Sequence, residues 1–254
     1  MAEYDTVRRT GANAYMAEID EGLRTHMNKV YGLMSVAMLL TGIVAYIVGT
    51  DLASARAGQD TMFLSTGLLQ TMFTSPVRYI IMFAPLAVVF AFGAGINRMS
   101  ENTARLVFYA FAGLMGLSIS WIFAVFTSMS IATTFFVTAI AFAGLSLWGY
   151  TTKKDISGWG SFLIMGVIGL IVAMLVNIWL QSAAIQFAVS GIGVLIFAGL
   201  TAYDTQKIKT TYLEMATAGQ TEWLGKAAIM GALSLYLDFI NMFMFLLQLL
   251  GNRD

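Results

Sequence analysis

Seven stretches of this chain are each long and apolar enough to cross a lipid bilayer, and that property leaves few folds open. A spanning helix needs about 20 mostly apolar residues. By that measure the spans are Val30–Gly49, Tyr79–Asn97, Leu106–Phe126, Ile131–Tyr150, Ser161–Leu180, Phe187–Tyr203 and Ile229–Leu250. The expected class is an all-α polytopic membrane protein, one seven-helix bundle. Charge supports this: only 11% of the 254 residues are charged, against about 25% in a soluble domain. Too few charges remain to wet a globular surface.

Other classes fall away on the same grounds. Net charge is zero, so no basic field points to nucleic acid. Cysteine is absent, which removes disulfides, thiolate nucleophiles and Cys-ligated metals. The single histidine, His26, lies before the first span, leaving no His-rich metal or haem site and no base for a rhomboid-type serine protease. A retinal-type receptor needs a buried Lys, and the spans contain none. The first 27 residues are polar, with no apolar core or small-residue cleavage site, so no signal peptide is expected.

Lys and Arg set the expected orientation. Of the 14, eleven fall on one side: Arg8, Arg9, Arg24, Lys29, Arg98, Arg105, Lys153, Lys154, Lys207, Lys209 and Lys226. Arg56, Arg78 and Arg253 lie on the other. The N-terminus is therefore expected in the cytoplasm and the C-terminus outside. Residues 1–29 form a tail in which Ile19, Leu23, Met27 and Val30 recur at helical spacing. That pattern suits an amphipathic helix on the membrane surface or one docked on the protein. Residues 30–254 form the transmembrane domain. Within the long 50–78 loop, "TMFLSTGLLQTMF" (Thr61–Phe73) is apolar but too short to span, and reads as interfacial or re-entrant. Pro85 is expected to kink the second span. Glycine-rich segments such as "GVIG" point to close helix packing. Asn177 reads as interhelical glue.

Two acids lie within or at the edge of a span: Asp204 in "GLTAYDTQKIK" and Asp238 in "SLYLDFINMF". Around Asp238, Gly231, Ser234, Asn241 and Phe245 stand at −7, −4, +3 and +7, a small and polar stripe on one helix face. An intramembrane ionisable residue is a functional-site hypothesis by default. By topology Arg98, in "GAGINRMSE", is the nearest cation able to neutralise such a pair.

"TAYDTQKIK" followed by "ALSLYLDFINMF" resembles the paired signature of the BAX-inhibitor-motif (TMBIM) membrane family, bacterial branch. The resemblance runs from about Leu23 onward and includes seven spans with a polar last one. It implies a central final helix and a pH-sensitive, calcium-permeable leak in a bacterial inner membrane. It also implies a hydrogen-bonded aspartate pair, Asp204 and Asp238, with Arg98 as a latch at the cytoplasmic end. The reading is then as follows. Two carboxylates in a low-dielectric site cannot both ionise cheaply and titrate as a unit. One ionised Asp paired to Arg98 seals the path, and protonation frees the latch. Calcium prefers oxygen ligands, so Asp204 and Asp238 hold it weakly and transiently, with Ser234 and Asn241 in support. Calcium ions, protons and membrane lipid are the expected partners; no cofactor and no enzymatic activity are expected.

Two rival readings stand. Intramembrane aspartyl proteases also use two aspartates, but they resemble "YD … GxGD", and "LSLYL" precedes Asp238 here. Some bacterial relatives in the family bind a membrane-anchored ATP-dependent protease or its partner complexes, for which the charged tail is the candidate surface.

Overall fold

In the computed structural model, which describes residues 2–253 and the side chains from Glu18 onward apart from Thr221, each expected span is a helix. The chain runs α1 (Ala2–Arg56), α2 (Thr66–Thr74), α3 (Val77–Gly95), α4 (Glu101–Ile119), α5 (Ser128–Thr151), α6 (Trp159–Leu180), α7 (Ala183–Thr217) and α8 (Leu224–Leu250). Short 3-10 turns at Ile96–Arg98, Ser120–Ala124 and Thr221–Trp223 join them. Hydroxyls start several helices: Ser100 accepts from the Thr103 N–H, Thr127 from Ser130 and Ser182 from Ile185. These bonds satisfy amide donors that the first helical turn leaves free. α3 runs on through the buried Pro85.

The packing order explains the architecture of this integral membrane protein. α8 is ringed by α1, α4, α5 and α7, with α3 outside α4 and α6 outside α7. Burial follows: 56% of the α8 apolar window is inside the protein, against 11% for α6. The last helix is thus the hub and α6 a lipid-facing stave. Close approach relies on small residues. A Cβ on Gly149 of α5 would meet the Ala202 carbonyl of α7, and one on Gly116 of α4 the Thr41 carbonyl of α1.

Three segments narrow or depart from the sequence expectation. α1 is continuous from the tail into the first span, and Ile19, Leu23, Met27 and Val30 are all buried in the main core. That stretch docks on the protein, the second of the two expected alternatives, with the His26 ring centre 5.0 Å from that of Tyr212 and the rings tilted at 39°. The protease-binding surface suggested for the tail lies largely outside the described side chains. The sixth span, short by hydropathy, is 35 residues long; beyond its apolar run, Thr205, Ile208 and Tyr212 stay buried. Within the Thr61–Phe73 stretch only the residues from Thr66 onward, part of α2, are helical. The residues before it are tied to Asp51, whose carboxylate accepts from the N–H groups of Met62 (2.8 Å), Phe63 (2.7 Å) and Leu64 (2.6 Å).

At the same end of the bundle Asn252 and Arg253 are moored. Thr127 N donates to the Asn252 carbonyl at 3.1 Å and Asn252 N to Ser130 Oγ at 2.9 Å. The Arg253 guanidinium sits 5.6 Å from the Phe126 ring centre.

Candidate functional site

α7 and α8 run antiparallel, and their contacts fix a register. Ile208 of α7 lies where a Cβ on Gly231 of α8 would go, and Phe245 of α8 lies over Gly193. The Phe245 ring also meets Phe197, with centroids 5.9 Å apart. Interpolation between these contacts puts Asp238 level with Thr201 and Ala202. Asp204 shares the inward stripe of α7 with Phe197, Thr201 and Ile208, three to four residues apart. It therefore stands about 4 Å along the axis from the level of Asp238, at 1.5 Å per residue.

The two acids are not equivalent. Asp238 is 4% exposed, and its Oδ2 is the one buried side-chain oxygen or nitrogen without a hydrogen-bond partner among the described residues. Asp204 is half-buried, and the hydrogen bond expected between the two acids is not made among the described residues. Buried polar atoms are nearly always partnered, so the exception asks for an occupant, a proton or a cation. Ser234 and Asn241 are half-buried on the same helix. Asn241 donates from Nδ2 to the Leu237 carbonyl at 2.8 Å, so this donor is engaged on its own helix.

Arg98 is not brought to the acids. It is exposed at the end of the Ile96–Arg98 turn. Among the described residues the only ion pair is Lys29–Glu101 at 2.7 Å. The reason is depth. Lys226 donates to the Asn97 carbonyl at 3.4 Å, which sets Arg98 near the start of α8. Asp238 lies twelve residues on, about 18 Å along the helix, and Asp204 about 14 Å by the register above. Both separations exceed the reach of an arginine side chain, so the expected latch is not engaged.

Hydroxyl contacts missed by sequence reading frame the pair. On one side Tyr31 Oη meets Ser146 Oγ at 2.7 Å and Ser146 meets Thr205 Oγ1 at 2.9 Å, tying α1, α5 and α7 beside Asp204. On the other, Tyr236 Oη meets Thr41 Oγ1 at 2.7 Å, and Thr41 donates to the Ala112 carbonyl at 2.8 Å. Threonine, serine and tyrosine inside apolar runs were the available signal, but their partners lie 59 to 195 residues away. Asn177 accepts from the Ser182 N–H at 2.9 Å, closing the α6–α7 turn rather than joining helices. No cluster of three or more potential metal ligands occurs among the described residues.

A family model described as "Inhibitor of apoptosis-promoting Bax1" (Bax1-I) matches residues 23–254. The chain belongs to the Bax1-I family. The inner membrane protein YbhL of Escherichia coli is 45% identical over 233 residues, covering 91% of this chain and 93% of that one. A protein of Rickettsia prowazekii is 44% identical over 234 residues, 92% of each, and one of Borreliella burgdorferi is 37% identical over 227. The Bax1-I match spans the α7–α8 pair and the whole seven-helix bundle described above.

Proposed function

We propose that this protein is a pH-sensitive, calcium-permeable leak of a bacterial inner membrane, with Asp204 and Asp238 as the charge-bearing gate. The observation that carries the reading is the partnerless Oδ2 of Asp238, buried in the central helix about 4 Å along the axis from the level of Asp204. Removing a carboxylate from water is costly unless it is paired. A carboxyl kept there without a partner suits a group that exchanges protons or cations. Two carboxyls are too few for a tight calcium cage, which suits a site that an ion must leave. Calcium is cargo in this reading, and no cofactor or enzymatic step is needed.

Protonation removes the negative charge of the pair, and with it both the attraction for calcium and any hold on a cationic side chain. Arg98 enters only through a second conformation, in which the end of α3 slides toward the acids. The inner-membrane relative YbhL supports the inner-membrane placement, and the Lys and Arg bias supports a cytoplasmic N-terminus.

The test is calcium influx into proteoliposomes at neutral and acidic pH. Asp238→Asn and Asp204→Asn should each change the flux and flatten its pH response. Wild-type flux and pH response in both variants would remove the aspartates from the gate.

A further inference from the structure

α1 and α5 both pack on α8, yet a groove of about 1300 Å³ lies between them, with Phe239 as its floor. Along α1 it reaches from Arg24 to Ile47, about 35 Å at 1.5 Å per residue. That covers the roughly 30 Å hydrocarbon core and enters the headgroup layer. Its walls are apolar, with Met34 and Met38 facing Phe135 and Phe142. Gly42 and Ala143 keep it wide; a Cβ on Gly42 would meet nothing within 4 Å. Leu39, Ile43 and Leu147 on the groove are exposed, as expected of a surface open to lipid. Water does not fill such apolar space.

The two ends differ. At the basic end the lining becomes polar and cationic, with Arg24, Asn28, Tyr31 and Tyr150. Behind Tyr150 stands Lys209, its ammonium donating to the Tyr150 carbonyl at 2.8 Å and lying 5.3 Å from the ring. Tyr46 and Phe63 flank the other end, and Arg24 is the one charged residue in the lining. Asp20 and Glu21 share the helix turn of Arg24, but it forms no ion pair among the described residues.

The geometry points to a binding site for one anionic glycerophospholipid, drawn from the leaflet on the basic side of the bundle. One acyl chain lies in the groove over Phe239, and the phosphate meets Arg24. A zwitterionic lipid brings the same phosphate but adds an ammonium that Arg24 repels. The groove shares Tyr31 and Ser146 with the hydroxyl contacts beside Asp204, but lipid binding there does not depend on ion conduction.

The full-length chain, stripped of lipid in detergent, is offered equal amounts of phosphatidylglycerol and phosphatidylcholine with matched chains and weighed by native mass spectrometry. One lipid should be retained, phosphatidylglycerol favoured about fivefold, the equivalent of the ~1 kcal/mol that one near-surface Arg contributes toward an anionic lipid. Arg24→Gln should keep one lipid but lose the preference. Ala143→Trp and, separately, Gly42→Phe should lose the bound lipid while helix content by circular dichroism is unchanged. If one plug does not fold, the other decides, and the exposed Arg24→Gln reads the headgroup on its own. No retained lipid, equal retention of both lipids by the wild type, or retention that survives the plugs overturns the site. So does a lipid-free dimer, which would give the groove to a second copy of the chain.

Discussion

The Tyr236–Thr41 contact gives a test of the hub that can be worked through in energy. Both residues are buried, Tyr236 at 0% and Thr41 at 2% exposure. The Tyr236 ring is edged by Phe108 and Phe111, so its hydroxyl has no polar neighbour there to turn to. Thr41 has one proton and gives it to the Ala112 carbonyl at 2.8 Å, with the Ala37 carbonyl 3.0 Å away. Tyr236 is therefore the donor in the 2.7 Å contact. Tyr236→Phe removes that bond but leaves the Thr41 donation intact, at a cost of about 0.5–1.5 kcal/mol. Thr41→Val strands the tyrosine hydroxyl and takes the Ala112 carbonyl's donor, at about 1–3 kcal/mol. With both changed, the stranded hydroxyl is gone. The pair should then cost less than the two single changes added together, by about 0.6–1.7 kcal/mol, the range for hydrogen bonds inside membrane bundles. Reversible unfolding in mixed micelles of rising dodecyl sulfate content, followed by circular dichroism, measures all three. Additive costs, or a costlier Tyr236→Phe than Thr41→Val, would refute the assignment of donor and acceptor.

Three further outcomes are expected. Asp51→Asn should free the loop before α2, because an amide offers one acceptor oxygen where the carboxylate offers two to three N–H donors; protease cleavage between residues 59 and 65 should rise at least several-fold, since hydrogen bonds to a charged group contribute about 1.5–3 kcal/mol. Gly149→Ala should destabilise by about 1–3 kcal/mol through overpacking against Ala202, whereas Gly42→Ala, facing open space, should stabilise by up to about 1 kcal/mol through helix propensity, both read in the same micelle assay. Arg98→Ala should leave calcium flux at neutral pH unchanged, because Arg98 stands far from both acids; a large change in flux would mean that the second, engaged conformation is populated.

Hydropathy made the spans legible because lipid forces a minimum length on each. Asp238 and Asn241 in the last span already marked a helix unfit to face lipid, and α8 is the hub. What stayed hidden depends on depth and distance. Arg98 shares an end with Asp204 in a one-dimensional reading, but nothing in the sequence measures the axial offset that separates them. Asp51, two residues past the first expected span, carries no signal of its own in the sequence; its role needs three backbone N–H groups eleven to thirteen positions later. The length of α7 was masked because Thr205, Lys207 and Lys209 dilute its hydropathy while its inward face stays buried. Hydroxyl pairs such as Tyr31 with Ser146 follow no spacing rule at all.

The mooring of Asn252 and Arg253 against the start of α5 turns α8 into a rod fixed at one tip. A rod held so cannot slide like a piston; it pivots. From the anchor, Asp238 is twelve residues from Leu250, about 18 Å, and Leu224 is twenty-six, about 39 Å. Any tilt thus sweeps the far tip beside Arg98, where Lys226 meets Asn97, through roughly twice the arc travelled by the carboxyl, so small rearrangements around the acid become large ones at the opposite membrane face.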